Sequence, residues 1–409
     1  MHVLFVHQNF PAQFGHIAAY LVKNKGFRCT FVSQQPSGRV GGIEKIQYQL
    51  KGGATKSTHY CSRTFENSVW HAHAVYEALA QRPDIQPDLV VGHSGFGSTL
   101  FLRDLYDCPI INYFEYFYRP KNSDMDFRPD FPTSPMNSLR SRARNAMLLL
   151  DLENCDLGYS PTVWQRSRLP GLFHEKVRVI FDGVDTSLWH RRQDVPRVLN
   201  GEVIPDDVKI VTYVSRGMES MRGFDIFMKM AKILGDRRKD VLFLIAGQDR
   251  VCYGGDEKVT GNKSFKDWVL SQDNYDLSRF RFLGLVPPDS LANLFSVSNL
   301  HVYLTVPFVL SWSLMDAMAC GATVLASNTA PVREMIEHGR NGLLVDFFDV
   351  EGFAKTAGDI LDAPADYSHL GMAAETLIQE QYSLDVCLPQ LLKLYEDAHT
   401  AWRAGMRAS

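Results

Sequence analysis

The sequence is poor in several things, and each shortage excludes a class of protein. Its seven cysteines, Cys29, Cys61, Cys108, Cys155, Cys252, Cys320 and Cys387, are odd in number and nowhere form a C-x-x-C pair. That argues against a disulfide framework and a cysteine zinc site, and points to a reducing cytosol. No stretch offers about 18 uninterrupted apolar residues, and the N-terminus, MHVLFVHQNF, shows neither a charged leader nor a cleavage site. The expectation is a soluble, cytoplasmic protein, with a peripheral contact at the inner face of the membrane left open. Charge of one sign is also scarce: a net charge of −3 gives no general pull toward nucleic acid. What is abundant is ordinary globular material, 45% hydrophobic and 22% charged, in a chain of 409 residues. That is too long for one core, so two domains are expected.

In the first half, apolar runs alternate with helical patterns. Val3 to Val6 reads as a buried strand and Phe14 to Val22 as the helix after it, joined by His7-Gln8-Asn9-Phe10-Pro11-Ala12-Gln13. A strand at 27–32 follows, then a long helix at 65–80 carrying His71 and His73. On a helix these two point about 200° apart, so they read as surface histidines and not a metal pair. The run 88–92 ends in His93-Ser94-Gly95-Phe96-Gly97-Ser98, followed by a helical pattern over 99–106. A histidine at the carboxyl end of a strand, beside two glycines, belongs to a ligand-facing edge. The strand 110–113 runs directly into Phe114-Glu115-Tyr116-Phe117-Tyr118-Arg119. An acid among aromatics needs either a partner, for which Arg119 is a candidate, or a cleft to face. Asp124-Met125-Asp126 imitates a D-x-D metal motif but has no strand before it. Arg140, Arg142 and Arg144 read as a solvated basic face, with an anionic acceptor or lipid headgroup as the alternative.

In the second half, a strand at 209–215 enters Arg216-Gly217-Met218-Glu219-Ser220-Met221-Arg222-Gly223 and then a helix from Phe224. Two guanidiniums six positions apart across a strand-to-helix turn can both reach one diphosphate, with a helix start behind them. Further strands are expected at 241–247, 280–284, 301–304 and 323–327. Before the last of these, Trp312 to Cys320 forms a helix closed by Gly321. Its first-turn amides can hold phosphate oxygens, and Asp316 lies more than one turn in. Leu384 to Ala404 is an amphipathic helix.

The run Val306 to Glu334 resembles the nucleotide-sugar signature of retaining family 4 glycosyltransferases. That signature has two glutamates separated by seven residues, the second followed by Ala-Met-Ala and a glycine. Here Asp316 takes the second position, and Phe308 stands at the first (316 − 8 = 308), so half of the signature is missing. Arg216 and Arg222 resemble the family's phosphate clamp, an arginine and then a lysine, and Gly183-Val184-Asp185-Thr186 resembles the element by which such chains leave their first domain.

The resemblance implies an α/β protein of GT-B fold, two facing Rossmann-like domains with a central cleft. Residues 1–182 form an acceptor-binding domain, 183–384 a nucleotide-sugar domain, and 385–409 a helix returning to the first. It implies catalytic roles for Arg216, Arg222, Glu115 and His93. Donor contacts fall to the Leu310 and Ser311 amides, Asp316 on the ribose hydroxyls, Phe308 and Gly217, and acceptor contacts to Gln8, Asn9 and Gly15. No metal or cofactor is implied. The donor is a nucleotide diphosphate sugar and the acceptor a sugar, glycan, lipid-linked or small molecule; nucleic acid is not a partner. A nucleotide-sugar epimerase, a phosphorylase and a non-catalytic nucleotide-sugar-binding protein remain rivals.

Overall fold

A computed structural model describes residues 1–199, 201–261 and 263–408. The apolar runs lack polar alternation because they are buried on both faces, as parallel strands covered by helices must be. The chain divides into two compact units. The first comprises Met1–Met125, Thr133–Gly183 and the chain from Leu384 onward; the second comprises Asp126–Pro132 and Val184–Ser383.

The first unit is built on seven strands: β1 (His2–Val6), β2 (Arg28–Ser33), β3 (Ile43–Gln47), β4 (Leu89–His93), β5 (Ile110–Tyr113), β6 (Leu157–Ser160) and β7 (Val177–Val179). They lie in the order β3-β2-β1-β4-β5-β6-β7, all parallel. Side chains of β1 alternate between two cores. Leu4 and Val6 join Val90, Ile110, Leu148 and Leu152 on one side, and Val3 and Phe5 join Val91, Ile111, Leu391 and Tyr395 on the other. The last two residues belong to the C-terminal helix Leu384–Ala408, which therefore completes the first unit's core.

In the second unit a short antiparallel pair, β8 (Val198–Leu199) and β9 (Glu202–Val203), comes first. Six parallel strands follow: β10 (Lys209–Gly217), β11 (Val241–Gln248), β12 (Phe280–Gly284), β13 (Leu300–Tyr303), β14 (Val324–Ser327) and β15 (Leu343–Val345). Their order is β12-β11-β10-β13-β14-β15. Each sheet reverses its winding once, between β1 and β4 and between β10 and β13. Ligands of open α/β sheets bind beyond the carboxyl ends of the strands at such points.

The structure corrects several local readings. Residues 99–106 hold only one 3-10 turn, Leu102–Asp104, because Thr99 and Ser98 turn inward to bond Asn112 and Asp151. His71 is half-buried and paired with the Tyr48 hydroxyl at 2.9 Å, not a surface group. Arg140 and Arg144 are half-buried on tyrosines: Arg140 bonds Tyr60 and Thr64, and Arg144 bonds Tyr118 and lies 3.7 Å from its ring centre. Only Arg142 of that cluster is exposed. The mock metal motif is split, with Asp124 accepting from the Tyr116 hydroxyl and Asp126 opening the segment that belongs to the second unit.

Candidate functional site

In the second unit the strand-to-helix turn carrying Arg216 and Arg222 forms where the sequence put it. β10 ends at Gly217, a short turn spans Ser220–Arg222, and Gly223 in the left-handed region (φ 61°) starts the helix Phe224–Arg237. A side chain at Gly223 would also collide with Leu304, its Cβ lying 2.8 Å away. Gly217 is required for a different reason than ligand approach: a Cβ there would sit 2.3 Å from the Arg250 carbonyl oxygen.

The two arginines are not equivalent. Arg216 is exposed at the strand end. Arg222 is buried; its Nη1 donates to Thr305 Oγ1 at 2.8 Å and to the Val309 carbonyl at 3.1 Å, and its guanidinium lies 5.2 Å from the Tyr253 ring centre and 5.9 Å from that of Phe308. The expectation of two like forks reaching one diphosphate is corrected to one accessible cation and one that braces the 305–309 loop. The planar guanidinium can lie flat against the rings while its Nη1 bonds both oxygens, whereas a lysine's compact ammonium could supply the donors but not the planar stacking surface.

Phe308 is buried, packed 5.4 Å from the Tyr253 ring. Glu219, missed in the sequence, holds the same neighbourhood together. It is fully buried, and Oε2 accepts from the amides of Cys252, Tyr253 and Gly254. Burial raises its pKa despite these bonds, and Oε1 has no hydrogen-bond partner among the described residues. An acid two residues beyond a glycine at a strand end was the signal available for it.

The helix Trp312–Ala319 is capped by Ser311, whose hydroxyl accepts from the Ser313 amide. The Ser311 amide itself donates to the Tyr303 hydroxyl at 2.9 Å. That corrects its expected role: this amide already has an acceptor, while Leu310 is buried beside it. Asp316 is half-buried, and burial alone pushes its carboxyl well above the ordinary range. No hydrogen bond among the described residues compensates it. A carboxylate in that state favours any incoming pair of hydroxyl donors.

In the first unit the ends of β1 and β4 lie side by side. A Cβ at Gly97 would fall 2.1 Å from the Val6 carbonyl oxygen, so only glycine permits this approach. The loop after β4 is held by Asp151, fully buried, which accepts from Ser94 and Ser98, both at 2.8 Å. Burial pushes its pKa up to about 6, the serine bonds partly opposing it. His93 is buried beneath this loop, with Glu115 Oε2 3.9 Å from its Nε2. Glu115 also receives Gln13 Nε2 at 3.5 Å, whereas Arg119, once its candidate partner, turns to the Arg168 carbonyl.

His7, which the sequence reading passed over, lies against His93 with ring centres 4.9 Å apart. Gln8 contributes mainly backbone: its amide donates to the Phe96 carbonyl, and its carbonyl accepts from Ser33, Gln34 and Gln35. Asn9 is exposed, and its amide donates to His7 Nδ1 at 2.9 Å. Gly15 has an ordinary helical φ of −59° and starts the first helix; it is small because Pro11 stands 2.9 Å from where a Cβ would be.

Two parallel-sheet units with polar groups gathered at each switch point define a GT-B protein. Residues 25–189 match the model of the glycosyl transferase family 4 group and residues 196–376 that of glycosyl transferases group 1. The chain belongs to the family 4 type of glycosyltransferases. Among relatives, it is 24% identical over 224 residues to the N-acetyl-alpha-D-glucosaminyl L-malate synthase of Bacillus anthracis, covering 55% of this chain and 54% of that one. It is 24% identical over 347 residues to the D-inositol 3-phosphate glycosyltransferase of Corynebacterium jeikeium, covering 81% and 77%. The chain thus spans about half the length of the first and about three quarters of the second. Sucrose-phosphate synthase from Thermosynechococcus elongatus shares the fold with a TM-score of 0.77 at 18% identity, over 98% of this chain and 99% of that one. Anabaena HepE, solved in complex with UDP-glucose, has a TM-score of 0.69 at 14% identity, over 97% and 100%.

Proposed function

We propose that the protein moves a glycosyl group from a nucleotide diphosphate sugar to an acceptor hydroxyl, with retention at the anomeric carbon and without a metal. The observation that carries this reading is Asp316: a desolvated carboxyl without a hydrogen-bond partner among the described residues, in the helix that follows the β13 end. In this reading it accepts from the two ribose hydroxyls, and the exposed Arg216 meets the diphosphate. The barrier is departure of that diphosphate, and a fixed cation beside a helix start stabilises the charge that grows on it. The first unit presents the acceptor.

The experiment is a thermal-shift panel of nucleoside diphosphates and their sugars, since a ligand that binds only the folded form raises its melting temperature. UDP and UDP-glucose come first because HepE was solved with them. A shift with one diphosphate series, followed by consumption of its sugar only when an acceptor is supplied, supports the reading; consumption without an acceptor would support an epimerase. The rings of Phe308 and Tyr253 beside Arg222 favour a second reading, a nucleotide-sugar binder without turnover, which predicts the same melting shift and no product with any acceptor. If the protein is a transferase, Phe308 gives a less polar donor-sugar site, suited to a deoxy or amino sugar. An unchanged donor spectrum in Phe308→Glu would sink that idea.

A further inference from the structure

The two buried imidazoles of the first unit are locked in opposite tautomers. His7 Nδ1 lies 2.9 Å from the Asn9 amide, which can only donate. Nδ1 therefore carries the lone pair and Nε2 the proton. His93 Nδ1 lies 3.0 Å from the Ser94 carbonyl, which can only accept. Nδ1 there carries the proton, and Nε2 offers the lone pair. Burial lowers the pKa of His7 to about 4 and that of His93 well below its ordinary value, so both rings are neutral near pH 7.

The two residues are 2% and 1% exposed, and neither Nε2 has a hydrogen-bond partner of normal length among the described residues, although the Gln13 side chain, which also reaches Glu115, stands near enough to His7 to favour its protonated form weakly. A donor and an acceptor have been buried at one sheet edge and left unmatched, an arrangement that costs free energy unless something binds there. Glu115 Oε2, 3.9 Å from His93 Nε2, adds a second acceptor. Phe96, 44% exposed, packs against both rings, with centroid distances of 5.8 Å to His7 and 5.2 Å to His93. It sits between Gly95, at φ 99°, and Gly97.

We propose that His7 Nε2–H, His93 Nε2 and Glu115 form a hydroxyl-binding subsite, opened when Phe96 turns aside, that takes a neutral polyol group and not a phosphate or carboxylate. A hydroxyl accepts from His7 while donating to His93 or Glu115, using both polarities at once. A carboxylate has no proton to give and can satisfy only His7, and inorganic phosphate, though it keeps a P–OH, brings its negative charge against that of Glu115. Assigning this hydroxyl to the second substrate rests on the sugar-transfer reading; the polarity of the subsite does not.

The test uses the full chain with its thirteen histidines labelled with nitrogen-15, and assigns two ring systems by His7→Gln and His93→Gln. Ring shifts must show His7 protonated at Nε2 and His93 at Nδ1 at pH 7. The probes are glycerol and myo-inositol against acetate and inorganic phosphate at equal concentration. Saturable shifts at both Nε2 atoms with the polyols, absent with the anions, support the subsite. Identical tautomers, larger shifts with the anions, or no shift with any probe would overturn it, the last meaning that the groups serve only a buried water. A melting shift with UDP is read separately, so loss of the subsite and loss of the sugar-transfer reading are distinguishable.

Discussion

Asp316 and Asp151 are both buried carboxyls with raised pKa values, yet they do opposite things. Asp151 is answered by two serine hydroxyls that fix the loop after β4, while Asp316 is answered by nothing among the described residues. Asp316→Asn is therefore expected to stabilise the free protein increasingly as pH rises and the buried carboxyl, whose pKa burial holds well above the usual range, is forced to ionise. It should also weaken UDP about 10- to 100-fold, the loss of roughly 1.5–3 kcal/mol of charge-assisted bonding. Urea unfolding and calorimetric titration check the two signs; weaker binding without greater stability would mean that the carboxylate has another partner. For Asp151 the sign runs with protonation. Its folded pKa of about 6 lies above the ordinary value of 3.8, so the native state takes up the proton first, and stability rises as pH falls through 6. Relative to Asp151→Asn, the wild type should gain about 1.4 kcal/mol between pH 7 and pH 5. Parallel unfolding curves for the two proteins would contradict this.

At the scale of elements, the strap 126–132 illustrates what a sequence conceals. It leaves and re-enters the first unit's chain, yet it packs with the second. Phe127 lies on Phe347 and Phe348, and Phe131 on Phe265 and Trp268. Between them Arg128 is buried, bidentate to Asp225, paired with Asp130, and donating to the Ser220 carbonyl of the turn carrying Arg216 and Arg222. Arg128→Ala strands two carboxylates, one of them buried, and should cost about 3–5 kcal/mol. Arg128→Lys should recover little of it, because one ammonium cannot replace the fork. Denaturant titration of the three proteins checks this, and a cost under about 1 kcal/mol would place the pair among solvated ones.

Apart from Arg128–Asp130, no local pattern could reveal these pairings, since the partners lie about a hundred or more residues apart. Most of the parallel strands were legible because double burial leaves unbroken apolar runs, whereas the short β6, β7 and β15 were passed over and so was β3, its Ile43-Glu44-Lys45-Ile46-Gln47 being the mixed pattern of a half-exposed edge. The histidine at the end of β4 was found by its neighbouring glycines. His7 was not, because one polar residue at the end of a buried run looks like the start of a loop. The arginine pair was legible as a turn but its burial was not, since that depends on the 305–309 loop closing over one member only.

For the whole molecule, the division into units is not a division of the sequence into halves. The first unit's core is closed by the last helix of the chain, where Leu388, Leu391, Leu392, Leu394 and Tyr395 are all buried against strands formed from the first residues. Fully burying a large apolar side chain contributes about 1.5–3 kcal/mol, so five of them approach or exceed the whole stability of an ordinary domain, about 5–15 kcal/mol. A chain ending at Ser383 should therefore lose the first unit and keep the second, whose core of Ile210, Val214, Leu244, Phe295 and Ala317 receives nothing from the C-terminal helix. Hydrogen exchange followed by mass spectrometry would show β1 to β7 unprotected and β10 to β15 protected, with UDP still raising the melting temperature of what remains. Equal loss of protection in both sheets would mean that the second unit cannot fold without the first.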